Sequence, residues 1–313
     1  MAIYDRNIRY ERYWVLLGAI FRRCFRSLHF EGLDKIPTDG AIIYAPNHCN
    51  ALIDALAVLS IDNVPKVFVA RADIFRKPKQ AAALRWLKIM PIRRVRDGLD
   101  EVRHNDATIQ ESVETLRHRV PFCIMAEGTH QPERLILPLK KGIFRIALQA
   151  AHALKDEMPV YIVPVRLEFG DLYHLWDRLE VRIGEPMNIT ASIAAHEDAT
   201  DPQLTNILLD TLSERMWSML GEPLRPKMVA PSLRLLGLVL TAPLAMVCAL
   251  LTLPIWLAEI VIRHSVEDEC FHNSVMYVWI AIWTLLTLGC MLLPWMGLEE
   301  WRYQLRALRA SNK

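Results

Sequence analysis

Of four stretches that stand out in a 313-residue chain, three concentrate side chains that move protons or hold anions. The first reads Pro46-Asn47-His48-Cys49-Asn50-Ala51-Leu52-Ile53-Asp54. A histidine and an aspartate six apart on one continuous helix, at about 100° per residue, point to well-separated sides. They meet only if His48 sits in a loop and Asp54 falls in or just after the first turn of the helix that follows. Asn50 is a favoured N-cap for a helix beginning at Ala51. A carboxylate bonded to one imidazole nitrogen fixes the tautomer and leaves the other nitrogen free to take a proton from a hydroxyl. A purely structural His–Asp pair near a strand end is the plainer alternative.

The second stretch, Met90 to Arg96, carries Arg93, Arg94 and Arg96. The planar guanidinium fork suits a phosphate, although a solvated basic turn has the same composition. The third holds Glu127, Gly128, Thr129 and His130, followed by Lys140 and Lys141 just before Gly142 opens a helical pattern. Glycine lets backbone approach a ligand, and lysines at a helix N-terminus add mobile positive charge to fixed N–H donors. Glu127, itself an anion, reads as a loop anchor for backbone N–H groups or an arginine. The fourth, 160–165, is a buried apolar run with a proline near its end, suited to packing and pocket shape.

These residues need a scaffold, and the surrounding pattern supplies one. Short apolar runs at 41–45, 66–70, 122–126, 160–165 and 180–183 read as strands, and helical patterns fill 51–59, 81–88, 100–119, 142–154 and 203–220. Alternating strand and helix predicts an α/β domain over 31–222. No internal repeat or low-complexity tract interrupts it.

The two ends differ from this middle. Apolar residues make up 52% of the chain and mean hydropathy is +0.16, high for a wholly soluble protein, while 23% charged residues are too many for a polytopic one. The apolar surplus lies in 233–262, where the only charges are Arg234 and Glu259, and in 275–297, which has none. Each run is long enough for a hydrocarbon core that takes about 20 helical residues. The expectation is a two-helix transmembrane hairpin within 223–313, joined by the polar connector 263–274; Pro243 and Pro254 leave room for a re-entrant form.

Arg225, Lys227 and Arg234 before the first run, and Arg302, Arg306, Arg309 and Lys313 after the second, predict cytoplasmic flanks. No secretory signal is evident, so the catalytic domain is expected on the cytoplasmic side of a membrane. Arginines at 9, 12, 22, 23 and 26 interleaved with aromatic and aliphatic residues make 1–30 an amphipathic helix suited to anionic lipid or to packing on the domain. A net charge of +2 argues against a nucleic-acid partner. Six scattered cysteines without a CxxC pair predict reduced thiols and no metal.

In order and spacing, N-H-x5-D, an arginine cluster, E-G-T and V-P-V together resemble the glycerolipid acyltransferases, over roughly residues 30 to 190. The resemblance implies a mixed sheet flanked by helices and attack of a hydroxyl on an acyl thioester, from acyl-CoA or acyl carrier protein, with no bound cofactor and no covalent acyl-enzyme. His48 would be the general base and Asp54 its orienting partner. Arg93 or Arg94 would bind the acceptor phosphate, with Asn47, Glu127, Gly128, Thr129, Lys140 and Lys141 completing the acceptor site.

The implied acceptor is glycerol 3-phosphate or 1-acylglycerol 3-phosphate; another lysolipid, or a non-catalytic membrane-binding role, are the alternatives. Two departures stand out. The x5 interval is similar to the glycerol-3-phosphate and dihydroxyacetone-phosphate branch, and His130 stands where the family usually has arginine, leaving Lys140 and Lys141 to supply charge.

Overall fold

The order of the strands explains why distant sequence blocks meet. The computed structural model describes residues 2–62, 64–93, 105–130, 136–221, 224 and 229–311. Its sheet comprises β1 (Ser27–Glu31), β2 (Ala41–Pro46), β3 (Val67–Arg71), β4 (Ile89–Ile92), β5 (Phe122–Cys123), β6 (Val160–Phe169), β7 (Arg178–Ile183) and β8 (Met187–Asn188). The order is β1-β7-β6-β2-β5-β3-β4, with β8 pairing β6. Strands β6, β2, β5, β3 and β4 are mutually parallel, while β7 and β8 run antiparallel to β6. The loops leaving β2, β4 and β5, and the end of β6, therefore gather at one edge, where open α/β sheets bind ligands.

Burial fits position in the sheet. Central β2 and β6 are covered on both faces, which is why they read as nearly continuous apolar runs. Edge strand β1 instead alternates between exposed and half-buried positions. Edge strand β4 tolerates Pro91, which a central ladder would not. On one face lie α1 (Ile8–Arg23) and α2 (Ala51–Leu59). On the other lie α4 (Asp106–Arg117), α5 (Gly142–Leu154), α6 (Ile189–Ala195) and α7 (Asp201–Ser218), while α3 (Pro78–Trp86) connects β3 to β4.

The expected helices at 51–59 and 142–154 are observed with those bounds. The strand expected at 122–126 pairs only through Phe122–Cys123, and the start of the helix expected at 100–119 lies outside the described residues. The boundary expected at 30/31 falls inside β1, which is hydrogen-bonded into the sheet beside β7.

At the C-terminus the described residues form four α-helices where two were expected. Each long apolar run is broken, giving α8 (Pro231–Leu251), α9 (Leu253–Ser265), α10 (His272–Leu286) and α11 (Leu292–Ser311). Pro254 in the first turn of α9 cannot donate to the preceding turn, so the helix restarts at Thr252. Left-handed Leu288 (φ 50°) and Gly289 (φ 87°) end the second run. Among the described residues only α8 is long and apolar enough to cross a membrane, and only 11% of its apolar window is buried.

Helices α9 to α11 instead share the core beneath α1 and α2, with Ile255, Tyr277, Ile280, Trp295 and Tyr303 beside Phe21, Ile53 and Val163. Tyr277 Oη donates to Leu17 O at 2.9 Å, and Arg26 pairs with Glu300. Helix α1 packs inward through Tyr10, Trp14, Ile20 and Phe21 while Ile8, Val15 and Leu16 stay exposed.

Candidate active site

The chain leaves β2 at Pro46 and must turn before α2 begins. Asn47 secures that turn: its amide donates to Leu167 O at 3.1 Å and accepts Leu167 N–H at 2.6 Å, pinning the loop to β6. Both ends of this amide bond the backbone of β6, so Asn47 positions the loop. Ala51 then takes a left-handed conformation, φ 44°, which turns the chain sharply into α2. Asn50 occupies the N-cap position but its side chain does not cap; it donates to Leu172 O at 3.3 Å.

Asp54 reaches back from the first turn of α2 in the manner the spacing requires. Its Oδ2 lies 2.8 Å from His48 Nδ1 and accepts the N–H groups of Cys49 at 2.8 Å and Asn50 at 2.7 Å. The carboxylate is fully buried, whereas the His48 side chain keeps 17% exposure. With Nδ1–H held by a carboxylate, Nε2 carries the lone pair, and it bonds no described residue. The arrangement can take a proton from a hydroxyl.

Cys49, next in sequence to His48, invites comparison with a thiol nucleophile. Burial, reinforced by the charge of Asp54, pushes its thiol well above the ordinary range, so it stays protonated.

Strand β5 lies beside β2 and delivers the third block to the same edge. Glu127 is buried and accepts the backbone N–H groups of His48 and Leu137, tying the two loops together. Burial pushes its carboxyl up to about 8. Its Oε1 has no hydrogen-bond partner among the described residues. Gly128 adopts φ 66°, and a Cβ there would stand 3.1 Å from Lys140 Cγ. Lys140 is drawn close because its N–H donates to Ala126 O at 2.7 Å. Thr129, Lys140 and Lys141 are exposed, the last at the start of α5.

Arg93 follows β4, a strand offset from β2 by three places in the sheet, about 14 Å at ~4.8 Å per strand. Its backbone is clamped by Asn105, whose amide accepts Arg93 N–H at 2.9 Å and donates to Arg93 O at 2.8 Å. Arg94 lies outside the described residues.

Two contributions escaped the sequence reading. Arg166 and Glu168, both buried, pair at 2.9 Å near the end of β6, and the Arg166 charge bears on Glu127 and Cys49. Their signal was an i, i+2 charged pair in an otherwise apolar strand. The connector between α9 and α10 is the other. Ser274 Oγ accepts Leu52 N–H at 3.2 Å, Asn273 donates to Leu172 O at 2.8 Å, and Asp268 Oδ2 lies 2.8 Å from His130 Nε2. His130, Asp268 and Cys270 are also a trio whose ligand atoms lie within 4.8 Å of one another, a spacing that could hold a metal ion.

Residues 27–168, which include the His48–Asp54 pair and Glu127, match the family model for acyltransferases. The chain carries an acyltransferase-family domain. The matched segment begins at the first residue of β1 and ends within β6. No curated protein matches the chain. Among solved structures it is similar to the crystal structure of the 1-acyl-sn-glycerophosphate (LPA) acyltransferase PlsC from Thermotoga maritima, with 20% identity, covering 70% of this chain and 86% of that one, at a TM-score of 0.44.

Proposed function

We propose that this acyltransferase moves a fatty acyl group from a thioester donor, acyl-CoA or acyl carrier protein, to the hydroxyl of glycerol 3-phosphate or 1-acylglycerol 3-phosphate. The observation that carries the reading is the buried carboxylate of Asp54 holding His48 Nδ1 at 2.8 Å within an acyltransferase-family domain. His48 Nε2 takes the acceptor's hydroxyl proton as the oxygen attacks the thioester carbon. The C–S bond breaks as the tetrahedral intermediate collapses, and the imidazolium returns the proton to the departing thiolate. Asp54 stabilises the imidazolium formed between the two steps. The protonated state of Cys49 favours direct transfer over a thiol-bound acyl intermediate.

The acceptor's phosphate is assigned to Lys140, which stands exposed against the Gly128 turn, and to its neighbour Lys141, with Arg93 further along the same edge. The exposed apolar surface of α8 and the basic residues of α1 favour membrane association, with the catalytic domain on the cytoplasmic side, where lipid substrate and product need not cross water.

The test is acyl transfer by the purified protein to glycerol 3-phosphate, dihydroxyacetone phosphate, lysophosphatidate and lysophospholipids. One phosphorylated acceptor should dominate, and His48→Ala should abolish turnover with the fold intact. Full activity in His48→Ala would refute the mechanism, and preference for a lysophospholipid would move the acceptor assignment.

A further inference from the structure

Three side chains suited to a borderline-soft cation meet beside the His48–Asp54 pair without belonging to it. His130 Nε2, a carboxylate oxygen of Asp268 and Cys270 Sγ all lie within 4.8 Å of one another. They come from two separate segments. His130 follows the Gly128 turn, whereas Asp268 and Cys270 belong to the connector between α9 and α10.

We propose that these three atoms bind one zinc-class dication, which clasps the His130 loop to the connector.

The spacing suits such an ion. Bonds of about 2.0 Å to nitrogen or oxygen and about 2.3 Å to sulfur set tetrahedral ligands about 3.3–3.5 Å apart. His130 Nε2 and Asp268 Oδ2 stand 2.8 Å apart, joined by a hydrogen bond. Admitting the ion separates them by about half an ångström, a small turn of the exposed Asp268 side chain. The rest of the site is held in place. Asp268 Oδ1 accepts the Cys270 N–H at 3.1 Å, which leaves Oδ2 toward His130. The His130 ring packs edge to face on His48 and Phe271, with centroids 5.3 and 5.2 Å away. Ser274 ties the connector to the α2 N-terminus, and Asn273 ties it to Leu172.

Ligand chemistry selects the cation. Imidazole and thiolate favour zinc over magnesium or calcium, which prefer oxygen ligands. Cys270 is a buried free thiol on which the carboxylates of Asp268, Asp54 and Glu269 bear. Burial, reinforced by those charges, pushes the thiol up to about 12, so its proton leaves for solvent only as the cation takes its place. The same negative field attracts a dication, and one thiolate with one carboxylate neutralises it. His130 then carries its proton on Nδ1, and the fourth position is left to water.

The probe is Co2+, whose bond to thiolate gives a charge-transfer band in the near ultraviolet and whose tetrahedral complexes absorb strongly in the visible. Titration of the chelator-treated full-length chain should show both, saturating at one ion per chain. One equivalent of Zn2+ should bleach them, and a large excess of Mg2+ should not. Zn2+ should also raise the midpoint of thermal unfolding. Cys270→Ser should abolish the charge-transfer band. His130→Ala and Asp268→Ala should each weaken Zn2+ at least about tenfold, the least that loss of a supporting outer contact costs, and remove the thermal shift. Asp268→Ala alters an exposed side chain, so it decides the matter if the buried Cys270→Ser variant fails to fold. Cys290→Ser, at an exposed thiol, should change nothing.

A missing charge-transfer band, a band that survives Cys270→Ser, or undiminished Zn2+ affinity in Asp268→Ala overturns the site and leaves a hydrogen bond alone between His130 and Asp268. None of these readouts uses acyl transfer, so they stand or fall apart from the function proposed above.

Discussion

Replacing Asp54 by asparagine separates the charge of the carboxylate from its geometry. The two backbone N–H groups of Cys49 and Asn50 converge on Oδ2 at 2.8 and 2.7 Å. An amide NH2 placed there would face two donors, so the asparagine oxygen must take the Oδ2 position. That oxygen can still accept His48 Nδ1–H, and the catalytic tautomer survives. What disappears is the negative charge opposite the imidazolium, a loss of roughly 1.5–3 kcal/mol for a charge-assisted hydrogen bond. At about 1.36 kcal/mol per tenfold, kcat should fall about 10- to 150-fold.

Asp54→Ala should be worse in both respects. It frees the histidine and strands two buried N–H groups at roughly 1–3 kcal/mol each. Single-turnover acyl transfer with saturating donor, alongside urea unfolding, measures the two effects. If Asp54→Asn is as inactive as His48→Ala while remaining folded, the oxygen-in-place argument is wrong and the tautomer has switched. If it retains half the wild-type rate, the carboxylate has no electrostatic part in the reaction.

Other perturbations test the supports of the site. Because burial raises the Glu127 carboxyl to about 8, the unfolded chain releases its proton between roughly pH 4.5 and pH 8 while the folded chain keeps it. Stability should fall with rising pH across that window, by at most about 1.4 kcal/mol per unit. Glu127→Gln should flatten the slope, gaining on the wild type at pH 8 and matching it near pH 5 in denaturant titrations. Gly128→Ala adds about 1–2 kcal/mol of left-handed strain and presses on Lys140, so acceptor KM should rise more than kcat falls in steady-state kinetics. Ser274→Ala removes the acceptor of Leu52 N–H and should cost about 1 kcal/mol in thermal unfolding, the usual size of a lost helix cap.

The central elements were legible because their burial is written in composition. Runs 41–45 and 160–165 are apolar on both faces and became β2 and the start of β6. The six-residue spacing of His48 and Asp54 fixed a loop–helix boundary, and the structure has one there. Edge strands were harder to see. Ser27–Glu31 alternates weakly beside a helical pattern, and Ile89–Ile92 contains a proline. The 160–165 run read as chemically silent because it was followed only to Val165, one residue short of Arg166. His130–Asp268 and Leu52–Ser274 join residues 138 and 222 positions apart, and no local periodicity announces such pairs.

The docking of the connector has a consequence for topology. A segment that bonds the α2 N-terminus, His130 and the Leu172–Tyr173 turn must lie on the same side of any bilayer as the catalytic loops. Helices α9 to α11 place side chains in the domain's own core and are held against it. If α8 enters lipid, the connector and the catalytic loops lie together on one side of it.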